Sequence, residues 1–163
     1  MHHDNRPMGC IRVSPPLNED EIDALLDLAE SGRTLRSTPT GRGNPEVPFA
    51  RVAWEVCLDG CCLWWTGDEE SRWVAPSLEF LVEHWFRRGA AGETHPKFAD
   101  FTFDHVLEGV VVVRGPDGCT VVEARGNAVS SRLVPHPCES ARTPEPEAHP
   151  LPANVVELRP RRA

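Results

Sequence analysis

The sequence predicts an α+β domain of ferredoxin-like, split β-α-β topology: an antiparallel sheet with two helices on one face and an added C-terminal β-hairpin. Three observations predict it. Segments of two-residue apolar alternation and segments with a helical apolar stripe follow one another in the order β-α-β-β-α-β-β-β. Two successive alternating runs flank Asp59-Gly60, a hairpin signature. The chain has 163 residues, 40% of them hydrophobic. That is enough for one core without help from disulfides or metal.

The first strand is read at Cys10–Ser14, with Ile11 and Val13 on one face, and Pro15-Pro16 ends it. Asn18 then opens a helix, with Glu21 three residues on as its capping-box partner. Ile22, Leu25, Leu26 and Ala29 form the expected buried stripe, and Gly32 supplies a left-handed stop. Residues 33–48 read as a polar, Pro- and Gly-containing loop.

Phe49–Leu58 and Cys61–Gly67 are the hairpin arms, joined by a two-residue type I′ turn at Asp59-Gly60. That register sets Leu58 opposite Cys61, Cys57 opposite Cys62, Val56 opposite Leu63, Glu55 opposite Trp64 and Trp54 opposite Trp65. Val52, Trp54, Val56, Leu58, Leu63 and Trp65 then share a core face. Arg51, Glu55, Cys57, Cys62, Trp64 and Thr66 share the other.

A second helix is expected over Pro76–Arg88, burying Leu78, Leu81, Val82 and Trp85 and stopped by Gly89. The loop from Ala90 to Asp104 brings Phe98, Phe101 and Phe103 over an edge of the core. Strands at Val106–Arg114, Cys119–Arg125 and Ala128–Val134, with turns at 115–118 and 126–127, complete the sheet. The two helices cover one sheet face. The other is left for solvent, a tail or a partner.

The organisation is read as a flexible N-terminus over residues 1–7, a single domain over 8–134 and a Pro-rich disordered tail over 135–163. Met8 is an alternative start to Met1. The N-terminus lacks the apolar core of a signal peptide and no apolar run reaches membrane-spanning length, so a cytoplasmic protein is expected. In that compartment the six Cys are expected to be reduced.

The formal net charge is −8. Residues 17–32 alone carry Glu19, Asp20, Glu21, Asp23, Asp27 and Glu30 with no base, a local charge of −6. Nucleic acid and anionic membranes are therefore not expected partners, since both are held by Lys and Arg. Glu19–Asp23 and Asp23–Asp27 are like-charge i,i+4 pairs, each unfavourable by a few tenths of a kcal/mol. Arg33, Arg36 and Arg42 of the following loop, or a basic partner, are candidates to relieve them.

Gly9 to Leu17 before the acidic helix, the Trp-rich hairpin, Phe101 to Gly109 and the closing Gly126-Asn127-Ala128-Val129 together resemble a functionally uncharacterised group of small actinobacterial and phage proteins. The resemblance spans residues 8–134 and implies no assigned catalytic residue.

Four constellations could carry chemistry. Cys57 and Cys62, opposed at a non-hydrogen-bonded site, could be free, bridged or metal-bound. Structural zinc takes four ligands, and Cys61 is expected to point to the other face, so packing thiols and no metal are expected. Trp64, beside Glu55 on the helix-free face, is a candidate partner hot spot. His105, His84 and nearby acids could serve a small-ligand or metal-dependent enzyme. Asp104 and His105 are strand neighbours that should point apart, and no catalytic motif occurs, so structural histidines are expected. Asp20, Asp23, Asp27 and Glu30 form an acidic helix face open to a basic partner. The reading is a non-enzymatic, cofactor-free module that binds another protein through Asp20, Asp23, Asp27, Glu30, Glu55 and Trp64. The alternatives are the His105/His84 enzyme and a homodimeric accessory protein of phage or host origin.

Overall fold

Apolar alternation, glycine placement and one buried polar pair arrange the chain into a single six-stranded sheet with helices on one side. The computed structural model describes residues 7–30 and 52–136. The polar loop with Arg33, Arg36 and Arg42, the helix stop at Gly32, and the tail beyond His136 lie outside them, as do residues 1–6. The strands are β1 (Met8–Ser14), β2 (Trp54–Val56), β3 (Cys62–Trp65), β4 (Val106–Gly115), β5 (Gly118–Arg125) and β6 (Ala128–Pro135). The helices are α1 (Glu19–Glu30) and α2 (Val74–Leu81). The sheet order is β2-β3-β1-β4-β5-β6. Every neighbouring pair is antiparallel. The protein is thus of the α+β class.

Alternation assigns the two faces. In β4, Leu107, Val111 and Val113 are buried while Val106, Glu108, Val110 and Arg114 are exposed. The run Val110 to Val113 therefore divides two and two between core and surface. Ile11, Val13, Leu63, Trp65, Val122 and Ala124 join the buried side, where they meet Leu25 and Leu28 of α1 and Leu78 and Leu81 of α2 in one core. Trp54 and Trp65 meet edge to face at 5.5 Å between centroids. The Trp54 Nε1–H donates to Ser77 Oγ at 3.0 Å, so this large ring is buried with its polar atom satisfied.

Helix α1 opens with the expected reciprocal capping box: the Glu21 N–H donates to Asn18 Oδ1 at 2.9 Å and the Asn18 N–H donates to Glu21 Oε2 at 2.8 Å. Its buried stripe is rotated from the expected one. Glu21, Leu25 and Leu28 point inward, while Leu26 is 43% exposed. The cause is Glu21, which turns into the core to meet His105 and takes Leu25 and Leu28, at i+4 and i+7, with it.

The second helix is continuous with a 3₁₀ turn at Ser71–Trp73 and a π turn at Val82–Phe86, so it begins earlier and ends earlier than Pro76–Arg88. Leu78, Leu81, Val82 and Trp85 are buried as expected. The loop after it packs Phe98 and Phe103 into the core, and the Phe101 ring meets both at a tilt and Trp85 edge to face.

The first hairpin keeps the expected pairing at Trp54–Trp65, Glu55–Trp64 and Val56–Leu63. Its turn differs from the type I′ expectation. Type I′ needs positive φ at both central residues. Only Gly60 has it, at +69°, and the Gly60 N–H donates to the Cys57 carbonyl at 2.9 Å. The Leu17 N–H donates to the Gly60 carbonyl and the Val13 N–H to the Cys61 carbonyl, at 3.0 and 2.8 Å. These bonds to the β1 region pull the turn into a different shape. Leu58, expected on the core face, is 98% exposed as a result. The positive φ pair instead falls at Gly126 (+57°) and Asn127 (+70°), in the two-residue turn between β5 and β6.

Candidate functional site

Three groups of side chains outside the apolar core stand out; the second and third lie side by side on the first hairpin. The first is a buried polar network at the start of α1. Glu21 and His105 are each 1% exposed, with His105 Nε2 donating to Glu21 Oε2 at 3.0 Å. Glu21 Oε1 accepts the Thr102 N–H at 2.7 Å and the Thr102 hydroxyl at 3.1 Å. His105 Nδ1 donates to the Pro15 carbonyl at 2.7 Å. His105 Nε2 also lies 2.9 Å from the Thr102 hydroxyl, and the carboxylate and carbonyl on its two ring nitrogens favour the protonated imidazole. Burial works against that charge, but the bond to Glu21 and the Pro15 carbonyl outweigh it and raise the His105 pKa above 6.5. Burial likewise works against the Glu21 carboxylate, and donors from His105, Thr102 and Asn18 outweigh it and hold its pKa below 4.5.

This network is a clamp rather than an exposed acid–base pair. It ties β1, α1 and the 98–105 loop at one point, and all its groups are engaged with one another. Asp104 is exposed whereas His105 is buried, and both lie in the segment before β4. The His84 ring stacks on Phe80 at 4.1 Å and its Nδ1 meets the Phe80 carbonyl at 2.8 Å. His95 Nδ1 accepts the Lys97 N–H. The candidate histidines His84 and His105 thus have separate partners and are not gathered round a shared space.

The second group is the helix-free sheet face. Trp64 is 37% exposed there, and its Nε1–H donates to Glu55 Oε2 at 2.9 Å, joining the two predicted residues. Around them the cross-strand pairs Cys10–Val110, Met8–Val112, Val112–Val121 and Cys119–Val134 lay an apolar stripe over β1, β4, β5 and β6. Met8, Val110 and Val134 are exposed members of it. Arg12 and Glu108 pair beside it. Asp20, Asp23 and Asp27 are exposed on α1, which packs on the other face. The backbone of Glu30 closes the same helix. The predicted acidic and aromatic surfaces are therefore on opposite sides of the sheet and cannot form one patch.

The third group was only half visible in the sequence. Cys57, Cys61 and Cys62 bring their sulfur atoms within 4.8 Å of one another, all half-buried. Cys57 and Cys61 are 3.4 Å apart at sulfur, and the Cys61 N–H donates to Cys57 Sγ at 3.2 Å. The expectation that Cys61 points to the other face is corrected. Gly60 in its left-handed conformation breaks the alternation one residue before Cys61, so Cys61 and Cys62 both reach Cys57. Cys57 and Cys62 are also at a hydrogen-bonded position, with the Cys57 N–H donating to the Cys62 carbonyl at 3.0 Å. Burial opposes ionisation at Cys57, but the thiol hydrogens of Cys62 and Cys61 pull its pKa down to about 7 from 9.0. The cost falls on Cys62, which donating to Cys57 and burial push up to about 12.

An open depression of about 770 Å³ lies between Glu69–Arg72 and the β4–β5 turn, lined also by Leu133. It holds none of the predicted site residues. Among the described residues, no helix is long and apolar enough to cross a membrane. No protein-family model, curated protein or solved structure matches the chain.

Proposed function

We propose that the protein is a small cytoplasmic interaction module that binds another protein over the helix-free face of its sheet. The observation carrying this reading is the stripe of exposed Met8, Trp64, Val110 and Val134 on a face without helices. A contiguous apolar patch rimmed by charge is the usual mark of a protein contact. Trp64 suits an anchor, because Glu55 fixes its ring and satisfies its N–H before any partner arrives. The acidic face of α1 is a separate surface that keeps the protein soluble.

The topology belongs to the same reading. Ferredoxin-like architecture is supported by the neighbour order β2-β3-β1-β4, in which α1 joins two strands flanking β3 and α2 joins two strands flanking β1. Strands β5 and β6 then form the added hairpin. Membership of the small actinobacterial and phage group rests on the residues quoted for it above.

The test compares capture by the immobilised full chain and by Trp64→Ala, Val110→Arg and Asp20→Asn/Asp23→Asn variants, with light scattering on the free protein. The reading requires one saturable protein ligand that Trp64→Ala and Val110→Arg lose and the acidic-helix variant retains. Loss only in the acidic-helix variant moves the interface to α1. A concentration-dependent dimer abolished by Val110→Arg makes the ligand a second copy of the chain.

A further inference from the structure

We propose that Cys57, Cys61 and Cys62 form a three-thiolate site for one thiophilic d¹⁰ metal ion, Zn²⁺ or Cu⁺, with a further coordination position open to solvent. The argument begins with distance. A metal–sulfur bond of about 2.3 Å in tetrahedral geometry places its sulfurs about 3.8 Å apart. The three sulfurs here lie between 3.4 Å, for Cys57–Cys61, and the 4.8 Å limit that contains them all. Closing on one ion thus needs only side-chain adjustments of a few tenths of an ångström to about 1 Å.

The backbone holds the three in place. Cys57 and Cys62 are anchored by the β2–β3 ladder, and Cys61 by the bond from the Val13 N–H to its carbonyl. Gly60 presses so closely on Leu17 that a Cβ would come 2.4 Å from the Leu17 carbonyl oxygen. The turn that gathers the thiols is therefore itself fixed by β1.

The chemistry suits a soft cation. Three sulfur donors select Cu⁺ and Zn²⁺ over the oxygen-seeking ions. The thiols give up their protons on binding the ion, and the Cys57–Cys61 contact gives way to metal–sulfur bonds. Arg12 is the cross-strand neighbour of Cys62, a fixed positive charge beside a site that carries net negative charge once metallated. Half-burial leaves the ion an entry path and a position for water or an outside ligand. Three protein ligands with an open position are the pattern of reactive rather than purely structural metal sites.

The experiment titrates the reduced full chain anaerobically with Co²⁺ as a spectroscopic probe, then challenges the Co²⁺ form with Zn²⁺ and, separately, with Cu⁺. Expected are a thiolate-to-cobalt charge-transfer band saturating at one equivalent and proton release on binding. Displacement by one equivalent of Zn²⁺ assigns a four-coordinate site. Displacement by Cu⁺ but not by Zn²⁺ assigns a trigonal one. Cys57→Ser, Cys61→Ser and Cys62→Ser should each weaken binding by more than the roughly 10–100-fold that loss of an outer-shell partner costs. Cys10→Ser and Cys119→Ser should leave it unchanged. Because a serine variant could disturb the hairpin, alkylation of the wild-type chain provides a second readout: metal should protect residues 57, 61 and 62 and leave Cys10 reactive. Absence of a saturable band, a band unchanged in Cys61→Ser, or protection extending equally to Cys10 overturns the proposal.

Discussion

Replacing His105 with Gln removes one half of a fully buried ion pair, and its cost can be worked from the contacts. Breaking such a pair costs about 3–5 kcal/mol, because the surviving charge stays buried. Glu21 would keep three donors, from Asn18 and Thr102, which places the expected loss at the lower end, about 3 kcal/mol. That is a large share of the roughly 5–15 kcal/mol by which domains are stable. The assay is urea unfolding followed by tryptophan fluorescence at a series of pH values. The His105 pKa is raised, so its contribution is full below about 6.5 and is lost as pH rises through the higher folded value. The Glu21 pKa is lowered, so its contribution is full above about 4.5 and is lost as pH falls through the lower folded value. The gap between wild type and His105→Gln should therefore be widest between about pH 4.5 and 6.5 and narrow on both sides. A loss under about 1 kcal/mol, or a gap that stays constant with pH, would refute the assignment of a charged clamp.

Other predictions concern single contacts. Asn127 accepts the Leu107 N–H at 2.7 Å and donates to the His105 carbonyl at 2.8 Å from a left-handed backbone. Asn127→Gly should cost about 1–3 kcal/mol in thermal or urea unfolding, and Asn127→Ala about 1 kcal/mol more, because alanine adds backbone strain. Gly109→Ala would place a Cβ 2.4 Å from the Cys10 carbonyl oxygen, so amide exchange across the β1–β4 ladder should accelerate relative to β5–β6. Iodoacetamide should label Cys57 with a rate that rises through pH 7, while Cys62 stays slow to far higher pH; equal rates at pH 7 would contradict the shared-proton arrangement.

Much of the fold was legible because it depends on local pattern. Alternation in the first hairpin names Val52, Trp54, Val56, Leu63 and Trp65 as core, and Asn18 with Glu21 names the start of α1. The Trp64–Glu55 contact follows from hairpin register alone. The rest depended on contacts from distant segments. No local rule sends Glu21 inward, yet its spacing from Leu25 and Leu28 was a usable signal that an acid occupied the buried stripe. His105, 84 residues away, supplies the counter-charge that makes this burial tolerable.

The thiol cluster divides the same way. Hairpin register alone puts Cys57 and Cys62 on one face, because a strand alternates with a period of two. Cys61 joins them through contacts made from outside the hairpin. Hydrogen bonds from Val13 and Leu17 reshape the turn and place Gly60 in a conformation that interrupts that period. Periodicity is a property of an undisturbed strand, and the disturbance here comes from a segment more than forty residues earlier in the chain.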